Sequence, residues 1–262
     1  MSSKMQARLL KFCLPILLAT VALAACKPKT DEPPPSPAPA DEAVKPAPVI
    51  EQEPAGKTGE GPAAAEGSGF TSSFDDENAN SVPPGVKLAE TAGMGSPAIW
   101  TIVEDASAPS PPMAFGTTES KNYGHTFNVA LFAKTGFTDV DLSVEVRSVS
   151  GEEDRGGGPV WRAVDADNYY ICRWNPLENN FRVYFVKQGR RKQIASLDVE
   201  VDPAAWHVIR IVMKGKKIEA WLDGGHHLEV EDDTFEGAGM VGLWTKADAC
   251  ALFDDIAVET PE

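Results

Sequence analysis

From about residue 125 onward the chain alternates apolar and polar positions with a period of two, the mark of half-buried β-strands. "VDLSVEVRSV" (140–149) sets Leu142, Val144 and Val146 on one face and Asp141, Ser143, Glu145 and Arg147 on the other. "FNVALFA" (127–133), "PVWRAV" and "NYYICRW" around the turn "DADN", and "FRVYFV" before "KQGRR" repeat the pattern. "QIASLDVEV", "HHLEVED", "GMVGLW" and "ALFDDIAV" continue it, and "WHVIRIVMKGKKIEAWLDGG" reads as a hairpin with Gly215 near its tip. No long segment of period 3.6 interrupts. Short strands with turn residues between them predict an all-β antiparallel sandwich of the jelly-roll type.

The first 68 residues follow other rules. Lys4, Arg8 and Lys11 precede an apolar run from Phe12 to Ala25, too short for an ordinary spanning helix. "LAAC" (23–26) closes it and resembles a bacterial lipobox. That resemblance implies a signal peptide over 1–25 and a lipid on Cys26, anchoring the chain in a bacterial cell envelope. Lys27, not Asp, follows the cysteine, so the outer membrane is the expected site in a cell with two. Residues 26–68 are dense in Pro, Ala, Glu and Lys and hold no aromatic residue. Such a segment buries too little apolar surface to offset its ordering entropy, and it reads as a disordered tether. One domain remains, 69–262, a size suited to a single sandwich core.

Charge and cysteines narrow the picture. The formal net charge is −15, and loss of the first 25 residues removes three cations and no acid, leaving −18. There is no basic stripe, which opposes nucleic-acid binding. Cys172 and Cys250 are the cysteines left in the domain. In an oxidising compartment they either pair or stay free, and spacing leaves both open.

Several stretches resemble a known fold family. "GFTSSFDD" followed by "VPPG" looks like the first strand of a concanavalin A-like jelly roll. "WHVIRIVMKGKKIEAWLDGG" and "GAGMVGLWTKADACALFDDIAV" resemble the central hairpin and last two strands of laminin-G-like modules. With "GGGPVWR" and "NYYICRWN" the chain is similar to the 3-keto-disaccharide hydrolase domain family, grouped with family 16 glycoside hydrolases. The resemblance implies the jelly roll strongly and the activity weakly, because this sandwich carries lectins, hydrolases and adhesion modules alike.

Candidate chemistry is sparse. A retaining glycosidase of the family 16 type needs two glutamates on one strand face around an aspartate. Glu229 and Glu231 share a face, but Val230 stands between them. Gly156–Gly158 precede a strand rather than a helix, so they cradle no phosphate and serve a bend instead. His226 and His227 are adjacent on a strand and face opposite ways, which disfavours a shared zinc. In concanavalin A-like folds an aspartate on the last strand often holds a structural calcium. Asp254 resembles that position, and Asp75 is a second candidate ligand. Around the "DADN" hairpin, Arg173 and Asn175 share a face. Beside Arg162, Arg147 and Glu145 they are expected to line a polar groove suited to sugar hydroxyls or carboxylates. The reading is a lipid-anchored module that binds a carbohydrate or envelope component without catalysis. The alternatives are a glycoside hydrolase and a structural or adhesion module without a small ligand.

Overall fold

The computed structural model describes residues 69–262. The expected signal peptide, lipidated Cys26 and disordered tether lie outside the described residues. The strands are β1 (Phe70–Ser72), β2 (Val86–Thr91), β3 (Ile99–Glu104), β4 (Met113–Glu119) and β5 (Phe127–Phe137). Next come β6 (Val140–Ser150), β7 (Gly157–Asp165), β8 (Asn168–Asn175), β9 (Asn180–Lys187) and β10 (Arg190–Asp198). The chain ends with β11 (His207–Lys214), β12 (Lys217–Leu222), β13 (His226–Glu231), β14 (Gly239–Lys246) and β15 (Cys250–Glu259). An eight-stranded antiparallel sheet has the order β13-β12-β11-β6-β15-β4-β3, with β1 also on β15. A seven-stranded sheet, β10-β9-β8-β7-β14-β5-β2, packs against it. The fold is the expected antiparallel jelly-roll sandwich.

The main core lies between the sheets. Leu142, Val144 and Val146 of β6 face it, as alternation predicts, against Trp161, Tyr170, Cys172 and Trp174. β6 and β7 are consecutive in the chain, but residues 151–156 carry it from one sheet to the other. Cys172 is buried in this core, and Cys250 begins β15; both are free thiols. The pairing that the sequence left open is therefore absent. The triple glycine serves close packing. A Cβ on Gly158 would stand 2.0 Å from the Cys172 carbonyl oxygen, and one on Gly157 would meet Ala251 and Phe253 at 3.1 Å.

The seven-stranded sheet has a second core on its outer face: Phe127, Val129, Leu131, Val160, Tyr169, Ile171, Tyr184, Val186 and Trp244. Tight curling of the sheet explains it. Phe127 on β5 and Tyr184 on β9 are four strand spacings apart, roughly 19 Å in a flat sheet. Both rings nevertheless lie near the guanidinium of Arg191, at 5.0 and 4.5 Å. The tips of two hairpins reach the opposite edge strand. Thr91 on β2 bonds the Ala166 carbonyl and, at 2.9 Å, the Tyr169 hydroxyl, to which Trp244 Nε1 also donates at 3.2 Å. Gly189 N donates to Asp167 O at 3.0 Å and Gln188 N to Asn168 Oδ1 at 3.0 Å, which ties the two tips together.

Candidate functional site

The five expected groove residues do not share a groove. Glu145 and Arg147 project from the outer face of the eight-stranded sheet, while Arg162, Arg173 and Asn175 belong to the other sheet. Sequence neighbours were separated by the sheet change between β6 and β7.

Arg162 is a structural pin. It sits at φ 46°, where the register of β7 on β8 slips, and is 1% exposed. That irregularity turns its side chain toward the loops at one end of the sandwich. Its guanidinium donates to the carbonyls of Thr138, Phe235 (2.7 Å) and Gly215 (2.8 Å) and to Asp139 Oδ1 (3.1 Å). The expectation that Arg162 lines a ligand groove is corrected: all three guanidinium nitrogens are bonded to loops of its own chain.

Arg173 and Asn175 do stand on the outer face of the seven-stranded sheet, opposite Cys172, as alternation predicts. They are buried there rather than open, at 1% and 0% exposure. The curled hairpins of the second core explain this burial. Arg173 donates to Asn180 Oδ1 (3.1 Å), Glu178 Oε2 (2.9 Å) and the Tyr184 hydroxyl (3.3 Å). Its Nε finds no partner. Asn175 donates to Asp154 Oδ1 at 3.2 Å, and Lys246 Nζ lies 3.2 Å from Asp154 Oδ2. Arg182 adds a second pair to Glu178 at 3.1 Å. Burial alone would raise the Glu178 carboxyl. Asn180 and the two arginines outweigh it and hold the group down at about 2. The rim is partly open, since the Glu178 and Arg182 side chains are 39% and 28% exposed.

On the eight-stranded sheet, cross-strand register builds a different surface. Ser143, Arg210, Trp221 and His227 form one row across β6, β11, β12 and β13. Trp221 is stacked by His227 at 4.9 Å, and the Arg210 guanidinium lies over the ring at 5.5 Å. Beside it lies a cavity of about 480 Å³ lined by Val208, Arg210, Trp221, Asp223 and Gly224. In the adjacent row Glu145 pairs with Val208 and Asp254. Burial, then the charges of Asp255 and Asp223, raise the Glu145 carboxyl. Arg147 is bonded to Asp105 and to Ser107 Oγ (3.0 Å) and covers Trp206. The expected groove does not include Trp221. Its signal was present: it alternates with Ala220 and Leu222, which are core residues, and so must face outward.

Glu219, His227 and Glu229 come within metal-ligating distance of one another, but Lys217 Nζ lies 3.2 Å from both carboxylates and supplies their counter-charge. Asp254 and Asp75 are brought into one acidic group. Asp254 accepts from the amides of Ser110 (2.8 Å) and Asp255 (2.8 Å), Asp255 accepts from Ser110 Oγ (2.9 Å), and Asp75 accepts from Met113 N (3.1 Å). Burial first, then the charges of Asp255 and Asp75, push the Asp254 carboxyl up to about 6. Both Asp254 oxygens thus cap backbone amides, and a hard cation with oxygen ligands would have to compete with those bonds.

The fold is a jelly-roll sandwich of the kind found among carbohydrate-binding modules and glycoside hydrolases. The chain is similar to the carbohydrate-binding module CBM66 from Bacillus subtilis, at 16% identity and a TM-score of 0.51, over 66% of this chain and 95% of that one. It is also similar to the GH43 protein BlXynB from Bacillus licheniformis, at 14% identity and a TM-score of 0.50. That match covers 73% of this chain but spans 39% of the other. No family model and no curated protein matches the sequence.

Proposed function

We propose that the protein is a carbohydrate-binding module acting in the bacterial envelope, with its site on the outer face of the seven-stranded sheet. The observation that carries this reading is the Arg173 cluster. Arg173, Glu178, Asn180, Arg182 and Tyr184 hold several planar donors and acceptors in fixed positions beside a partly open rim. Preset, planar hydrogen-bonding groups beside aromatic rings are what sugar hydroxyls require. The likeness to a carbohydrate-binding module supports the same class of function. A glycosidic general acid needs a raised carboxyl. Glu178 is lowered instead, which favours binding over hydrolysis at this place. The lipobox-like "LAAC" supports an anchor at Cys26 and a location at the envelope, the outer membrane where there are two. Asp254 and Asp75 would hold a structural calcium ion.

The test is a glycan array followed by calorimetry on the purified chain. Binding that weakens at least tenfold in Glu178→Gln, with an unchanged fold, supports the reading. An array with no response removes it.

One observation favours a second reading, hydrolysis of a disaccharide or larger glycan. Glu145 is a raised carboxyl near Asp223, which lines the 480 Å³ cavity. Release of reducing sugar that disappears in Glu145→Gln would establish that reading in place of binding.

A further inference from the structure

The carbohydrate-binding reading leaves one charge unexplained. Arg191, on edge strand β10, directs its guanidinium into the second core. It lies 5.0 Å from the Phe127 ring, 4.5 Å from Tyr184 and 5.8 Å from Trp244. No carboxylate among the described residues pairs with it, and its Nη1 is buried without a hydrogen-bond partner. The Arg173 guanidinium lies 5.7 Å from the same Tyr184 ring, and it too has a buried N–H, at Nε, without a partner. Two arginines thus approach one tyrosine, each with an unused donor.

The local charge count points the same way. Glu178 is shared by Arg173 and Arg182, and Asp154 is taken by Lys246. Four cations, with Arg191, meet three carboxylates, since Lys246 Nζ also lies 4.0 Å from Glu153, and one positive charge is left over inside a chain that is strongly acidic overall. Asp154 and Glu178 act on Arg191 only from a distance, and a buried charge without a direct partner is expensive. Aromatic faces recover only part of that cost. The guanidinium fork matches a carboxylate in shape and charge.

We infer that Arg191 and Arg173 form a subsite for the carboxylate of an acidic sugar, so that the ligand class is an acidic glycan rather than a neutral one. This rests on the carbohydrate-binding reading and narrows it. The sugar ring carrying the carboxylate lies at the rim beside Glu178 and Arg182, and its anionic group turns inward to the two orphaned donors. Glu178 repels a carboxylate placed on its own side, which orients the ligand.

The experiment uses the full purified chain in detergent with a panel of uronate- and sialate-bearing oligosaccharides, each paired with its carboxyl-reduced form. Free acetate and sulfate serve as anion controls. Calorimetry is expected to show at least one acid bound tenfold or more tighter than its reduced partner. Arg191→Met keeps the bulk inside the aromatic cage and removes the charge. It should abolish that preference while leaving affinity for the reduced sugar within about twofold, and Arg191→Lys should restore part of it. A readout without ligand accompanies this one: the melting temperature of Arg191→Met should rise, because an uncompensated charge is gone. A fall would identify Arg191 as an aromatic clamp and overturn the inference. Equal binding of acid and reduced forms also overturns it while the carbohydrate-binding reading stands. Binding of neither overturns both. Acetate or sulfate binding as tightly as the acidic sugars would mark a simple anion site and overturn the glycan assignment.

Discussion

Replacing Arg162 by alanine removes one guanidinium from three loops at once. The β5–β6 turn loses its bonds at Thr138 and Asp139, the β11–β12 turn at Gly215, and the β13–β14 connection at Phe235. Asp139 is 37% exposed, so its ion pair contributes little, on the order of 0–1 kcal/mol. The three carbonyls accept charge-assisted bonds, each worth about 1.5 kcal/mol or more while the arginine is buried. Water reaches some of the freed carbonyls and returns part of this. The net loss is about 3–5 kcal/mol, the range for breaking a buried charge from its partners. For a domain of this size that lowers the melting temperature by about 6–20 °C. Arg162→Gly separates the bonds from the backbone. The left-handed φ of 46° strains any residue with a Cβ, by roughly 1 kcal/mol, and glycine relieves it. Glycine should therefore be milder than alanine by about that amount although it deletes more atoms. Thermal and urea unfolding followed by circular dichroism measure both. A loss below about 1 kcal/mol in Arg162→Ala, or a glycine variant no better than alanine, would refute the reasoning.

The other expectations are quickly stated. Gly158→Ala should destabilise by about 3 kcal/mol or more in urea unfolding, since its Cβ would meet the Cys172 carbonyl oxygen at 2.0 Å and backbone must move. Neither thiol should react with maleimide until the protein unfolds, because burial raises both Cys172 and Cys250, and reductant should leave the melting temperature unchanged. Asp254 and Glu178 predict opposite pH effects. Asp254 is raised in the fold, so the native state holds its proton more tightly and metal-free stability falls as pH rises from about 4 to 6. Calcium should raise the melting temperature above pH 6 and reverse that slope, whereas Asp254→Asn should flatten it without calcium. Glu178 is lowered to about 2, so its contribution is full above pH 4.5 and is lost on acidification toward 2. At 39% exposure that loss is held to about 1 kcal/mol, and Glu178→Gln should remove it from the acid limb of the stability curve.

The strands were legible because each needed only its own alternation, and β6 shows this most plainly: Asp141, Ser143, Glu145 and Arg147 are partly exposed while their neighbours are buried. The site was harder to read because its walls come from distant segments. Alternation correctly sets Arg173 and Asn175 opposite Cys172, but nothing near them announces that Thr91, about eighty residues earlier, will meet the tip of their hairpin. Arg162 was misplaced for a different reason. A period of two assigns it a face, and the slip in register on β8 breaks the period at that residue. Glu145, Arg147 and Arg162 are close in sequence but separate in space, because the six residues between β6 and β7 change sheets. Arg191 gave no signal at all. In "KQGRR" it reads as a turn or edge-strand cation, yet curling of the sheet carries it over aromatic rings from β5, β9 and β14.

That curling also accounts for where a site can form. A jelly roll whose seven-stranded sheet were flatter would present Phe127, Trp244 and Tyr184 to solvent as an open aromatic floor. Here the rings pack together as a second core, and their faces are turned toward one guanidinium. Where β8 turns into β9, Glu178 and Arg182 keep partial exposure, while Asn175 and Asn180 of the same hairpin are buried beneath them. In the proposed reading recognition is concentrated in a short segment whose geometry is fixed by a strand pair, with Arg173 anchored beneath it. A rigid hairpin over a buried arginine loses little conformational freedom on binding, and the affinity of such a site depends on matching charge and shape rather than on area buried.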